Sequence, residues 1–328
     1  MKLSWAVRTD SGLRRNSNED SYCTRPDLGL FVVADGMGGH VAGEVASRVA
    51  VEKIQEFIAE TAGADKNRTW PFPFEPTISL EGNRLKAAFR LANRKLANEM
   101  ADKADLRGMA TTASAVLAGK KSACLAHVGD SRIYAMRNGS LKQLTHDHSW
   151  VEEQVRAGAM TEAAARQHPW RNVVTRALSG GTDPDIDTVE IAPVPGERFL
   201  LCSDGLSGMI ADDEILDILM ATGDIVEGCR RLVARANEHG GEDNITAVLV
   251  RIDDGPAPSQ STSPPRKDDE TTVRGVVPPV ASKLPAPDDT PPAQPVAPKV
   301  PLIESEPTLP TGQAPPPSNP APGSGKTR

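Results

Sequence analysis

The chain has 328 residues and a formal net charge of −7. That balance argues against nucleic acid as the main partner, because phosphate backbones call for clustered Lys and Arg, and no run of 18 apolar residues is present to span a membrane. Cys23, Cys124, Cys202 and Cys229 form no CxxC pair and read as buried free thiols in a reducing compartment; with no apolar signal core at the N-terminus, a cytoplasmic location is expected.

In chain order, residues 5–9 and 30–34 read as strands. Two segments with helical spacing follow. Residues 45–58 place Val45, Val49, Ile54, Phe57 and Ile58 near one face, and residues 85–100 do the same with Leu85, Phe89, Ala92, Leu96 and Met100. Between them, residues 62–81 read as an irregular loop, pinned to the body by the aromatics of Trp70-Pro71-Phe72-Pro73-Phe74. Strands are predicted at 113–117, 123–128 and 132–136, a helix at 151–157, and a strand at 199–202. Helices at 213–220 and 225–237 precede a last strand at 245–250, and Asp212-Asp213-Glu214 suits the positive end of the first of those helices.

Strands come in runs with helices between them in pairs, unlike the alternation of a parallel sheet. The pattern predicts an α+β fold of two packed antiparallel sheets with helices on the outer faces. From Asp253 onward the composition changes abruptly: 20 of the 28 prolines lie there, and Phe, Trp and Tyr are absent. Such a segment cannot offset the entropy of ordering its backbone. The expected organisation is a globular domain over 1–252 and a Pro-rich disordered tail over 253–328.

Acidic residues recur where strands begin or end. Residues 31–34 run into Asp35-Gly36, 124–128 into Gly129-Asp130, and 199–202 into Ser203-Asp204-Gly205. Glu242-Asp243-Asn244 precedes the last strand, and Asn18-Glu19-Asp20 lies in a polar turn after the first. Glycine beside an acid lets a backbone carbonyl approach a cation closely. Taken singly, a strand-end Asp serves as a turn or helix cap more often than as a ligand. Five such sites, with almost no Cys or His nearby, point to a binuclear oxygen-ligand centre for hard ions such as Mg²⁺ and Mn²⁺, able to activate water and to stabilise displacement at phosphorus.

These segments, in this order, resemble the type 2C family of metal-dependent protein phosphatases. The likeness covers residues 5–251 and rests on Arg15-Asn16-Ser17-Asn18-Glu19-Asp20, Val33-Ala34-Asp35-Gly36-Met37-Gly38-Gly39, Thr111-Thr112-Ala113, His127-Val128-Gly129-Asp130-Ser131-Arg132, the stretch 172–178, Cys202-Ser203-Asp204-Gly205-Leu206 and Glu242-Asp243-Asn244-Ile245-Thr246. The compact form looks bacterial. The resemblance implies a four-layer αββα sandwich. It also implies hydrolysis of phosphoserine and phosphothreonine in proteins by metal-activated water on two Mn²⁺ or Mg²⁺ ions. By the same resemblance Asp35 bridges the ions, Glu19 and the Gly36 carbonyl complete one site, and Asp204 and Asp243 hold the other. Asp20 reaches an ion through water, Asp130 helps bind a third and weaker ion, and Arg15 holds the substrate phosphate, a task suited to a planar bidentate donor.

One departure stands out. Many members, chiefly eukaryotic, carry a His regarded as the general acid where this chain has Met37, a residue that bacterial members commonly share; His40 is a substitute candidate, with a helix-start or packing role as the alternative. By the same resemblance, the segment between Gly129-Asp130-Ser131-Arg132 and Asn172-Val173-Val174-Thr175-Arg176 forms a mobile flap beside the site, where His146, His148 and His168 read as ordering residues rather than a metal pair. In the tail, Asp268-Asp269-Glu270-Thr271-Thr272-Val273-Arg274 reads either as a solvated charge cluster or as a site at Thr271 or Thr272 whose phosphate a phosphothreonine-binding module would recognise. The expected partners are phosphorylated proteins and an opposing Ser/Thr protein kinase of eukaryotic-like type. Two rivals stay open: a catalytically silent phosphoprotein-binding scaffold, and a phosphatase for small phosphate esters.

Overall fold

The computed structural model describes residues 2–38, 41–64, 69–119 and 122–254. Among these, the strands form two antiparallel sheets. One has the order β1-β11-β10-β7-β8, from β1 (Lys2–Asp10), β7 (Arg132–Arg137), β8 (Ser140–Gln143), β10 (Arg198–Cys202) and β11 (Ile245–Asp254). The other has the order β2-β3-β5-β6-β9, from β2 (Asp20–Arg25), β3 (Leu30–Met37), β5 (Ala113–Ala118), β6 (Ala123–Val128) and β9 (Asp187–Ile191), with the short β4 (Ala110–Thr111) paired to β3. Helices α1 (Val41–Glu60) and α2 (Leu80–Asp102) pack on the second sheet. Helix α7 (Ile225–Glu238) packs on β1 and β11, with α6 (Asp212–Ala221) beside it. Two short helices, α3 (Trp150–Arg156) and α4 (Glu162–Arg166), lie between β8 and β9, and one turn of helix, α5 (Asp204–Ser207), follows β10.

Side-chain alternation along the strands builds the layers. Phe31 and Val33 of β3 meet Leu125, Phe199, Leu201, Val248 and Val250 between the sheets. Their neighbours Leu30, Val32 and Ala34 join the core under α1 and α2. Leu200 and Cys202 of β10, and Ala247 and Leu249 of β11, face the second helical layer with Leu232 and Val233. Strands buried on both faces need apolar residues at every position, which is why they read in sequence as continuous runs rather than alternating ones.

Three of the missed strands have a shared cause. β2, β8 and β9 each end a sheet in the strand order, and an edge strand carries polar and exposed residues such as Tyr22, Lys142 and Glu190. Asp20 is the first residue of β2 rather than part of a free turn. Helix α2 begins at Leu80, capped by Ser79 Oγ accepting from the Gly82 N–H at 2.9 Å, so the preceding loop ends two residues before the expected limit. That loop is held as expected: Trp70 packs edge-on to Phe57 at 6.5 Å, and Arg94 lies over the Phe72 ring at 4.3 Å. All four cysteines are buried and free. Among the described residues no helix is long and apolar enough to cross a membrane. The last strand reaches Asp254, two residues past the expected domain limit; Thr271 and Thr272 fall outside the described residues.

Phe31 is fully buried between the sheets. Phe31→Ala is therefore expected to cost about 3–5 kcal/mol in urea unfolding. A loss below about 1 kcal/mol would contradict a closed inter-sheet core.

Candidate metal centre

The acids gather where the two sheets meet. Asp20 and Asp35 are directly opposite one another in the β2–β3 ladder. Asp204 opens the helical turn after β10, and Asp243 sits two residues before β11. Asp130 lies in the turn that carries the chain from β6, in one sheet, to β7, in the other. Hydrogen bonds tie the sheets together through these residues. Ser203 Oγ donates to Asp20 Oδ2 at 2.7 Å, and Thr246 Oγ1 donates to the same oxygen at 2.6 Å. The Glu19 N–H donates to Asn244 Oδ1 at 2.7 Å, while Asn244 Nδ2 holds the carbonyls of Ser11 and Ser17.

Gly36 has a reason to be glycine. Its N–H donates to the Glu19 carbonyl at 3.2 Å, and a Cβ there would run into the carbonyl oxygen of Gly43 in the first turn of α1. A second glycine, Gly129, has φ +116°, and a Cβ would press on Thr112. The strand carrying Asp35 is pinned through hydroxyls. The Asp35 N–H donates to Thr112 Oγ1 at 2.9 Å, Thr111 Oγ1 donates to the Asp35 carbonyl at 2.8 Å, and Thr112 and Ser131 share a hydrogen bond of 2.7 Å.

Burial, reinforced by like charge, dominates the electrostatics. Asp20 and Asp130 are buried; Asp35, Asp204 and Asp243 are half-buried. Burial pushes the Asp20 carboxyl up to about 7, against the pull of its Thr246 and Ser203 hydrogen bonds and with help from Asp204 and Asp243. Asp35 is pushed well above the usual carboxylate range by burial and then by Asp20, Asp204, Asp130 and Asp243. Burial also raises Asp130, with Asp204 and Asp147 adding to it, and raises Asp204 together with Asp243. Like charges held this close favour protonation or a bound cation.

Among the described residues no three His, Cys, Asp or Glu side chains already form a metal cage. The acids are turned to protein partners instead: Asp243 accepts from Arg15 at 2.7 Å, and Asp20 from Ser203 and Thr246. The donor set nevertheless fits hard divalent cations, since it is all oxygen. Asp20 Oδ1 and Asp204 Oδ1 are buried with no hydrogen-bond partner, an arrangement that costs free energy until something positive faces them.

Every residue expected to hold an ion or the substrate phosphate lies among the described residues. Arg15 is half-exposed on Asp243, Glu19 lies against Gly43 of α1, and Asp20, Asp35, Gly36, Asp130, Asp204 and Asp243 gather at the sheet junction. Met37 ends β3, opposite Ala110; His40 is outside the described residues. His148 donates through Nε2 to Asp187 at 3.1 Å, and His168 stacks on Trp150 at 5.0 Å. The sequence reading missed the hydroxyl and amide supports Thr112, Ser131, Ser203, Asn244 and Thr246. Their signal was available as polar residues set in or against fully buried strands, where each must find a partner.

The Protein phosphatase 2C family profile matches residues 12–249. A serine/threonine phosphatase, Stp, of Listeria welshimeri serovar 6b is 36% identical over 249 residues, covering 74% of this chain and 93% of that protein. Among solved structures, the Mycobacterium tuberculosis serine/threonine phosphatase PstP/Ppp superposes with a TM-score of 0.65 at 37% identity, covering 77% of this chain and 99% of that one. The PstP catalytic domain in complex with two manganese ions does so with a TM-score of 0.63 at 36% identity and the same coverage. A family match over most of the chain, relatives above one-third identity and the shared two-sheet sandwich agree: this chain belongs to the protein phosphatase 2C family and is a protein phosphatase.

Proposed function

We propose that this protein hydrolyses phosphoserine and phosphothreonine in proteins at a two-ion Mn²⁺ or Mg²⁺ centre, opposing a bacterial Ser/Thr kinase in the cytoplasm. The observation that carries the reading is the pair of unpartnered buried oxygens, Asp20 Oδ1 and Asp204 Oδ1, inside a cluster of acids at the sheet junction. The PstP structure with two manganese ions supports it from outside the chain. Asp35 and the Gly36 carbonyl, with Glu19, would hold one ion; Asp204, Asp243 and Asp35 would hold the other; Asp130 would add a third, weaker site. Bound there, the ions supply an acidified water and neutralise charge on the phosphoryl oxygens.

The protein's own groups do the rest. Asp20 is held by two hydroxyl donors on its Oδ2, which leaves Oδ1 free to orient a water. Among the described residues Arg15 is tethered by a partly exposed ion pair with Asp243, its side chain 51% exposed. Such pairs contribute roughly 0–1 kcal/mol, so the guanidinium can turn to a substrate phosphate at little cost. Met37 has no proton to give, so no step is assigned to it. The segments 1–252 and 253–328 would act as catalytic domain and tail, with Thr271 or Thr272 offering a phosphate to a phosphothreonine-binding module.

Hydrolysis of a phosphothreonine peptide by the full chain tests the reading. Activity is expected with Mn²⁺, none with chelator, and at least about 100-fold less for Asp35→Asn. Folded protein that binds Mn²⁺ and releases no phosphate would favour the scaffold, and activity confined to small esters the third reading. Arg15→Lys is expected to raise KM about tenfold with a smaller fall in kcat, because a point charge replaces a bidentate fork.

Acids whose folded pKa is raised hold protons that the unfolded chain has already lost, so they destabilise the metal-free protein as pH rises from about 4 to past 7. Cations replace those protons. The melting temperature of Mn²⁺-loaded protein minus that of chelated protein is therefore expected to widen between pH 5.5 and pH 8. The buried histidines, whose pKa values burial lowers, act on both forms and cancel in this difference. A gap that is flat or narrows with pH would contradict the acid cluster as the cation site.

A further inference from the structure

His148 is buried, with both ring nitrogens and both backbone groups engaged. Its Nδ1 accepts the Gly129 N–H at 3.1 Å, and its own N–H donates to the Gly129 carbonyl at 2.7 Å. One residue thus takes both polar backbone groups of Gly129, the glycine that sets the direction of Asp130. On its far side, Nε2 faces Asp187 Oδ2 at 3.1 Å, and Asp187 Oδ1 faces Arg176 at 3.3 Å. The carbonyl of His148 accepts the Thr175 N–H at 2.7 Å. Its ring also stacks on buried His127 at 4.7 Å.

We infer that His148 is a positioning residue that aims Asp130 into the metal centre, and that Asp187 fixes the tautomer this requires. The inference rests on the reading of Asp130 as an ion ligand. An N–H donor at Gly129 demands an unprotonated Nδ1, so the proton must sit on Nε2, and the Asp187 carboxylate is the acceptor that keeps it there. A hydrophobic ring of equal size would fill the space and leave the Gly129 N–H buried and unpaired. Asp130 is fixed on its other side by Ser131, whose carbonyl accepts from Ser114 Oγ at 2.8 Å and whose hydroxyl meets Thr112. The acid therefore has little freedom except through the Gly129 peptide, and His148 removes that freedom.

Calorimetric Mn²⁺ titration of the full chain tests this without reference to hydrolysis. Wild type is expected to show a weak binding step beyond the two tighter ones. His148→Leu should weaken that step by roughly 10-fold or more and leave the tighter steps unchanged. His148→Asn, whose Oδ1 can stand where Nδ1 stood, should stay within about threefold of wild type. Should His148→Leu fail to fold, Asp187→Asn carries the test, since Asp187 is partly exposed. Arg176 would claim the amide oxygen and turn the NH₂ toward Nε2, forcing the His148 proton onto Nδ1 against the Gly129 N–H, and the same weak step should fall by a similar factor. The proposal is overturned by a wild type with no weak step, by equal losses in the Leu and Asn variants, by all steps weakening together, or by an unaffected Asp187→Asn. Protein that binds Mn²⁺ as expected yet hydrolyses no phosphopeptide would sink the proposed function and leave this positioning role standing.

Discussion

Several carboxyl groups are held at one junction with too few positive partners. Two unit charges 4 Å apart repel by about 4 kcal/mol at an effective dielectric near 20, and the Asp35 carboxyl feels Asp20, Asp204, Asp130 and Asp243 together. A chain under no other pressure would turn these side chains to solvent. Here they are fixed by strand register, as in the direct opposition of Asp20 and Asp35. Their repulsion is a standing cost that the rest of the fold must outweigh.

The sandwich outweighs it by making the acids part of its frame. The inter-sheet core around Phe31, Leu125, Phe199 and Val248 locks the two sheets face to face. With that geometry rigid, the strand ends cannot drift apart to relieve the charge. Hydroxyls and amides then cross the seam: Ser203 and Thr246 from one sheet bond Asp20 from the other, and Asn244 bonds Glu19. The same polar contacts that hold the acids in place also join the layers, so the site and the fold are stabilised by one set of bonds. Local strain at a functional site, supported by packing elsewhere, is the expected arrangement.

How much of this could be read beforehand follows from the same division. The doubly buried strands β3, β10 and β11 show as apolar runs because neither face sees water, and the acids at their ends stand out against them. The edge strands β2, β8 and β9 do not show, since Ser21, Tyr22 and Thr24 in β2, or Asp187 and Glu190 in β9, are half-solvated and carry no periodic signal. The acids Asp35, Asp130, Asp204 and Asp243 were legible as residue types beside glycine or at a strand end. What was not legible is which oxygen meets which hydroxyl, because Thr246 and Asp20 are joined across 226 positions of sequence. Met37 was legible too, as a gap in proton-donating capacity, and it stands at the end of β3 opposite Ala110.

The β6–β7 turn couples the segment after β8 to the acid cluster. It is the point where the chain leaves one sheet for the other, so Asp130 belongs wholly to neither. Its glycine is grasped by His148, from the segment after β8, and His148 in turn bonds Thr175 and, through Asp187, Arg176. Leu178, further along the same stretch, pairs with Thr111, whose hydroxyl bonds the Asp35 carbonyl. The stretch 174–178 is thereby fastened at one end to the turn that carries Asp130 and at the other to the strand that carries Asp35. Any movement of that stretch must be shared by one acid or the other, so the two acid-bearing segments and this stretch form one mechanical unit.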